Sequence, residues 1–304
     1  MSATPEALST GAPDWPARSH FSEFDRAIEQ ALARDTLERQ APARKIDPAT
    51  IHTRIEGDGH RTFLLLNGAG QSLRTWDFVV PTLLHLGRVI RLDVPGVGES
   101  PPPEAPYSFE ELADAVLQVA RPHVTGPLIV VGHAWGGRAA QVITRDHGDE
   151  IAGVVIGANG GKFPPLHTPE EMQALAEAAA GDDLEAHAAA FERVMCAAGF
   201  FARDPERAHW LLDVVRSTPA ESGLVRAAVR ATPPESYWGQ FNTPALLLYG
   251  VEDRIGHRAN AEDLHAALPD SKLVYIEQAG HYVIAEQAER FASEIASWIE
   301  QRGL

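Results

Sequence analysis

Leu128-Ile129-Val130-Val131-Gly132-His133-Ala134-Trp135-Gly136-Gly137 runs from a continuous apolar strand, through a glycine-flanked turn, into a helix from about Gly136 to Arg145. Strand, sharp turn and helix are the setting in which G-x-S-x-G acts as a nucleophile elbow. Gly132 and Gly136 let the chain turn tightly and bring the helix close to neighbouring strands. The middle residue is thereby held at the top of the sheet. Here it is Ala134, which has no oxygen to attack with.

Outward from this turn, short apolar runs alternate with helical stretches from Ile51 onward, the signature of a mostly parallel sheet with helices on both faces. Thr62 to Leu66 is a buried strand ending at Asn67-Gly68-Ala69-Gly70, and Trp76 to Leu86 reads as a helix. Arg88 to Leu92 is the next strand, and Asp93 to Ser100 a tight loop whose Asp and Ser bond backbone groups. Ser108 and Glu111 form a capping box for the helix ending near Ala120. Ile151–Ile156, Leu246–Tyr249 and Leu273–Ile276 are further strands. A helix over Ala285–Ile299 closes the chain.

Downstream of the turn, Gly250-Val251-Glu252-Asp253 places an acid beyond one strand, and Gly280-His281 places a histidine beyond the last. The order is nucleophile position, acid, histidine. Asp253 accepts from Nδ1 of His281, which leaves Nε2 as a general base. The N–H groups of Ala69 and Trp135 are the expected oxyanion donors. Asn67, Gly68 and His133 flank these groups and are expected to touch the substrate.

Strand signals stop between Gly161 and Asn242, where Ala-rich helical pattern dominates. The expected organisation is an N-terminal extension over 1–45, a core over 46–160 and 242–304, and a helical cap over 161–241. Phe200 and Trp238 stand out among the cap's aromatics and are expected to line an apolar pocket with Trp135. Phe24, Ile28 and Leu32 give the extension an amphipathic helix to about Gln40, suited to packing on the core, covering the pocket or building a homodimer contact.

These motifs resemble the α/β-hydrolase superfamily, specifically its small cap-bearing branch of esterases, enol-lactonases and carbon–carbon bond hydrolases. The resemblance rests on Asn67-Gly68-Ala69-Gly70, Asp93-x-x-Gly96-x-Gly98-x-Ser100, Gly132-His133-x-Trp135-Gly136-Gly137, Gly250-x-x-Asp253 and Gly280-His281. It covers about Ile51 to Trp298 and implies an α/β-hydrolase fold with an α-helical cap. Asn67 departs from the His-Gly common in the oxyanion loop. Ala134 departs further and has two readings, an engineered serine knock-out or a native alanine. The native reading is preferred, because Gly160-Gly161-Lys162-x-Pro164-Pro165 looks like a branch in which alanine stands there naturally.

The resemblance implies a small hydrophobic ester, lactone or related carbonyl compound as substrate, with no metal or organic cofactor. With a native alanine it also admits cofactor-free lyase or dioxygenase chemistry, or a small-ligand receptor. A formal charge of -16 disfavours nucleic acid and anionic membranes as partners. No run approaches the roughly 20 apolar residues of a membrane span. One cysteine, Cys196, excludes internal disulfides and makes the cytoplasm the expected compartment.

Overall fold

The computed structural model describes residues 46–304 apart from 219 and 221. The expected helix to Gln40 lies outside the described residues. Among the described residues seven strands form one sheet: β1 (Thr53–Glu56), β2 (Thr62–Leu66), β3 (Arg88–Leu92), β4 (Leu128–His133), β5 (Ile151–Gly157), β6 (Ala245–Gly250) and β7 (Ser271–Ile276). Their order is β1-β3-β2-β4-β5-β6-β7, with β1 antiparallel to β3 and every other pair parallel. Parallel strands need crossovers and both faces covered. β2, β4 and β6 are buried throughout.

Alternation along the strands divides the core. Leu64, Ile90, Val130 and Val154 pack with α2 (Phe109–Ala120) and α3 (Trp135–Asp146) on one face. Phe63, Leu65, Val131 and Val155 pack with α1 (Val80–Leu84) and α11 (Ala288–Arg302) on the other. The capping box of α2 is present, with Ser108 accepting from the N–H of Glu111 and Glu111 accepting from that of Ser108. The expected helix over Trp76–Leu86 divides into a 3₁₀ turn at Leu73–Trp76 and the short α1. Pro81, with no N–H to give, stands in the first turn of α1. The closing helix also breaks, at Gln287, between α10 (Val283–Glu286) and α11.

Among the described residues five α-helices lie between β5 and β6: α4 (Pro169–Ala180), α5 (Leu184–Met195), α6 (Phe200–Arg203), α7 (Pro205–Ser217) and α8 (Ser222–Ala231). Local chemistry starts several of them. Thr168 and Glu171 form a capping box at α4, and Asp183 and Asp204 cap α5 and α7. α9 (Arg258–Ala267) then connects β6 to β7.

Candidate active site

β4 ends in His133, and the chain reverses at Ala134, whose φ of 51° and ψ of -113° lie where side-chain-bearing residues rarely go. Such a conformation costs about 1–3 kcal/mol and persists only when its surroundings over-determine it. Here they do. The Ala134 N–H donates to Gly157 O at 2.8 Å, and Ala134 O accepts from the Gly137 N–H at 3.0 Å. A Cβ on Gly132 would lie 2.3 Å from Gly136 O, and one on Gly136 would lie 2.2 Å from Leu66 O. Only glycine lets the start of α3 rest directly on the end of β2.

Asp253 and His281 follow the ends of β6 and β7, which run side by side in register from Ala245 opposite Ser271 to Gly250 opposite Ile276. His281 Nδ1 stands 3.2 Å from both carboxylate oxygens of Asp253. Asp253 Oδ1 also accepts the N–H groups of Ile255 (2.8 Å) and Gly256 (2.9 Å), which fix the carboxylate. Both side chains are buried, and none of the described residues bonds Nε2 of His281. His281 is also held by its backbone. Its N–H donates to Met195 O at 2.9 Å and its carbonyl faces His133 Nε2 at 2.7 Å. Through His133 the histidine loop is tied to the residue preceding Ala134.

A model of the alpha/beta hydrolase fold matches residues 61–288. The chain belongs to the α/β hydrolase family. It is 27% identical over 263 residues to the poly(3-hydroxyalkanoate) depolymerase of Ectopseudomonas oleovorans, covering 84% of this chain and 91% of that one. It is 26% identical over 257 residues to a pimeloyl-(acyl-carrier protein) methyl ester esterase of Neisseria meningitidis serogroup C, covering 80% and 95%. Among solved structures, the thermophilic esterase of Thermogutta terrifontis superposes with a TM-score of 0.68 at 25% identity, covering 83% and 93%. Fold and relatives mark the chain as a hydrolase.

In this α/β hydrolase the residues expected to meet substrate divide sharply. Trp135 is the first residue of α3, so its N–H has no carbonyl a turn back to bond. Ala69 lies exposed in the loop after β2. Gly68 does not present a free amide, because its N–H donates to Gln71 Oε1 at 3.2 Å. Asn67 is wholly buried. Its Nδ2 donates to Leu92 O and its Oδ1 accepts from Trp76 Nε1, both at 2.8 Å, so the side chain braces β2 against β3. His133 is likewise taken out of the substrate set. Burial and the neighbouring His281 press its pKa down to about 3, so it is neutral and donates from Nε2 to the His281 carbonyl.

Phe200 and Trp238 are also reassigned. Phe200 packs into the insertion's own core with Phe191, Leu211 and Tyr282. Trp238 belongs to the core on the α2 and α3 face, and its Nε1 donates to Asp263 at 2.8 Å. Trp135 packs on Phe109 with ring centroids 4.8 Å apart. A groove of about 700 Å³ lies at the far end of α3, against the starts of β5 and β6. In a parallel sheet that is the end opposite Ala134, Asp253 and His281, so the groove is not this site.

Two groups had no sequence signal. Glu286 is buried and accepts the N–H of Ala197 at 2.6 Å and of Gly280 at 3.0 Å, joining the helical insertion to the histidine loop. Burial raises its pKa to about 8 against the pull of those N–H groups. His167, between β5 and α4, has its ring 1% exposed and neither ring nitrogen hydrogen-bonded. Among the described residues no group of three or more His, Cys, Asp or Glu is placed to hold a metal, and no helix is long and apolar enough to cross a membrane.

Proposed function

We propose that this α/β hydrolase acts on a small hydrophobic ester, lactone or related carbonyl compound by acid–base chemistry, without an acyl-enzyme. The observation that carries this reading is the bracketing of His281 Nδ1 by both oxygens of a buried, amide-bonded Asp253. That arrangement fixes the tautomer and leaves Nε2 basic. Ala134, at the elbow, has no atom to add to a carbonyl. His281 therefore takes a proton from water, and the resulting hydroxide adds to the carbonyl carbon. The N–H groups of Ala69 and Trp135 receive the oxyanion. Collapse expels the alcohol, which leaves with the proton that His281 returns. Relatives named as a methyl ester esterase and a depolymerase support an ester among the substrates.

Ala134 favours a second reading of the same dyad. His281 takes a proton from carbon next to the carbonyl, and the oxyanion donors hold the enolate. A receptor that binds without turnover does not need His281.

Two variants separate these readings. His281→Ala should lower turnover at least about 10²-fold, the usual worth of a general base. Unchanged turnover would remove the dyad from the mechanism. Ala134→Ser should give no burst of 4-nitrophenol from 4-nitrophenyl acetate in stopped flow. A burst followed by sustained hydrolysis would make the chain a serine hydrolase lacking its nucleophile.

A further inference from the structure

Between α5 and α6 the chain from Met195 to Ala198 lies against the histidine loop, backbone on backbone. A Cβ on Gly280 would stand 2.5 Å from Cys196 C and 2.7 Å from Ala197 N. The His281 N–H donates to Met195 O at 2.9 Å, and the Ala198 N–H donates to Glu252 Oε2 at 3.0 Å. Two amides of this joint remain, those of Ala197 and Gly280, and one carboxylate takes both. Glu286, the last residue of α10, accepts the Ala197 N–H at Oε2 (2.6 Å) and the Gly280 N–H at Oε1 (3.0 Å). A single rigid group therefore fixes the residue before His281 to the segment of the insertion that holds the His281 N–H.

Glu286 is buried, and both its oxygens are engaged with backbone. A catalytic group displaced by about 1 Å can lose about 10²-fold in rate. What fixes the peptide on either side of His281 therefore bears on its chemistry, even from outside the pocket.

We propose that Glu286 is a positioning residue for His281, setting where the imidazole stands by clamping Gly280 to Ala197. This rests on the reading of His281 as the base and adds a regulation to it. Burial raises the pKa of Glu286 to about 8, and the charge of Asp253 adds to the rise. The other titratable groups about the joint are Cys196, Tyr282 and the exposed Glu252. Burial keeps the Cys196 thiol and the Tyr282 phenol protonated there. Ionisation of Glu286 places a negative charge in the clamp itself, bonded to the neighbour of His281.

Glu286→Gln tests this, since it keeps the shape and removes the titration. With the full chain and 4-nitrophenyl acetate, kcat should fall about tenfold at unchanged KM, because the group acts through His281 and meets no substrate. Placed in His281→Ala, the same substitution should change kcat no further, a non-additivity that a general loosening of the fold does not give. The imidazole signals of ¹⁵N-labelled protein supply a second measure, with His281 assigned by its loss in His281→Ala. The His281 signal should inflect near pH 8 in the unsubstituted protein and not in Glu286→Gln. Where His281→Ala abolishes turnover, an unchanged kcat in Glu286→Gln overturns the proposal, as do equal losses in both backgrounds. A His281 signal without the inflection, or with the same one in the variant, also overturns it. Should the variant not fold, or the ester not be turned over, the inflection alone decides. If His281→Ala keeps full turnover while the inflection is present, the base reading fails and the clamp stands.

Discussion

At the turn from Gly132 to Gly137, backbone rests on backbone. In the insertion between β5 and β6, side chains share the holding with a few backbone bonds, such as that from the His281 N–H to Met195 O. The elbow's contacts are carbonyl oxygens a little over 2 Å from where a Cβ would stand. The insertion is held by groups that can be exchanged, such as the Arg254 grip on Glu171 and the Glu286 carboxylate over Ala197 and Gly280. The lesson is one of tolerance. A backbone contact has no rotamer to give, so the elbow fixes a geometry. A side-chain contact can be re-formed, so the insertion can change without disturbing the elbow.

The largest effect should follow Gly136→Ala. Its Cβ meets Leu66 O and Asn67 O at 2.2 and 2.5 Å, and neither backbone can retreat without breaking the sheet. The loss should exceed about 4 kcal/mol in urea unfolding, or leave no soluble protein. A variant that melts with the unsubstituted chain would erase the contrast.

Glu286→Gln should cost about 1–3 kcal/mol, because an amide NH₂ must then face one of two N–H donors. It also carries a pH signature. The folded-state pKa is raised to about 8 from 4.5, so the folded state holds the proton more tightly than the unfolded chain. The contribution of this group is full below pH 4.5 and is lost as pH rises through 8. Denaturant unfolding across that window should show this slope in the unsubstituted protein and not in the variant. An identical slope in both would assign the titration elsewhere.

Arg254→Ala should change least, under about 1 kcal/mol, since its pair with Glu171 is partly exposed. A loss as large as that from Gly136→Ala would show the insertion to be as unforgiving as the elbow.

The same contrast explains what the sequence revealed. Gly132 and Gly136 are legible because a backbone contact admits one residue type. Asp253 and His281 are legible because a strand end fixes where they stand. The edge strand β1 carried little signal, since only two of its four residues are even half-buried. Phe200 and Trp238 were misassigned because an aromatic in a helical segment reads the same whether it lines a pocket or fills a core. His133 was misassigned because adjacency to Ala134 does not say which way a ring turns. His167 sits in no motif, and only the enclosure of its unbonded ring marks it.

One consequence concerns time. The His281 peptide is fastened at its N–H to Met195, the last residue of α5, and at its carbonyl to His133 of β4. A displacement of α5 would break the first fastening and keep the second, so how firmly the proposed base is held depends on α5. Lid movements of this kind take microseconds to milliseconds. If substrate enters by that movement, the proposed base is fastened anew at each closure by a helix that carries none of the residues proposed for catalysis.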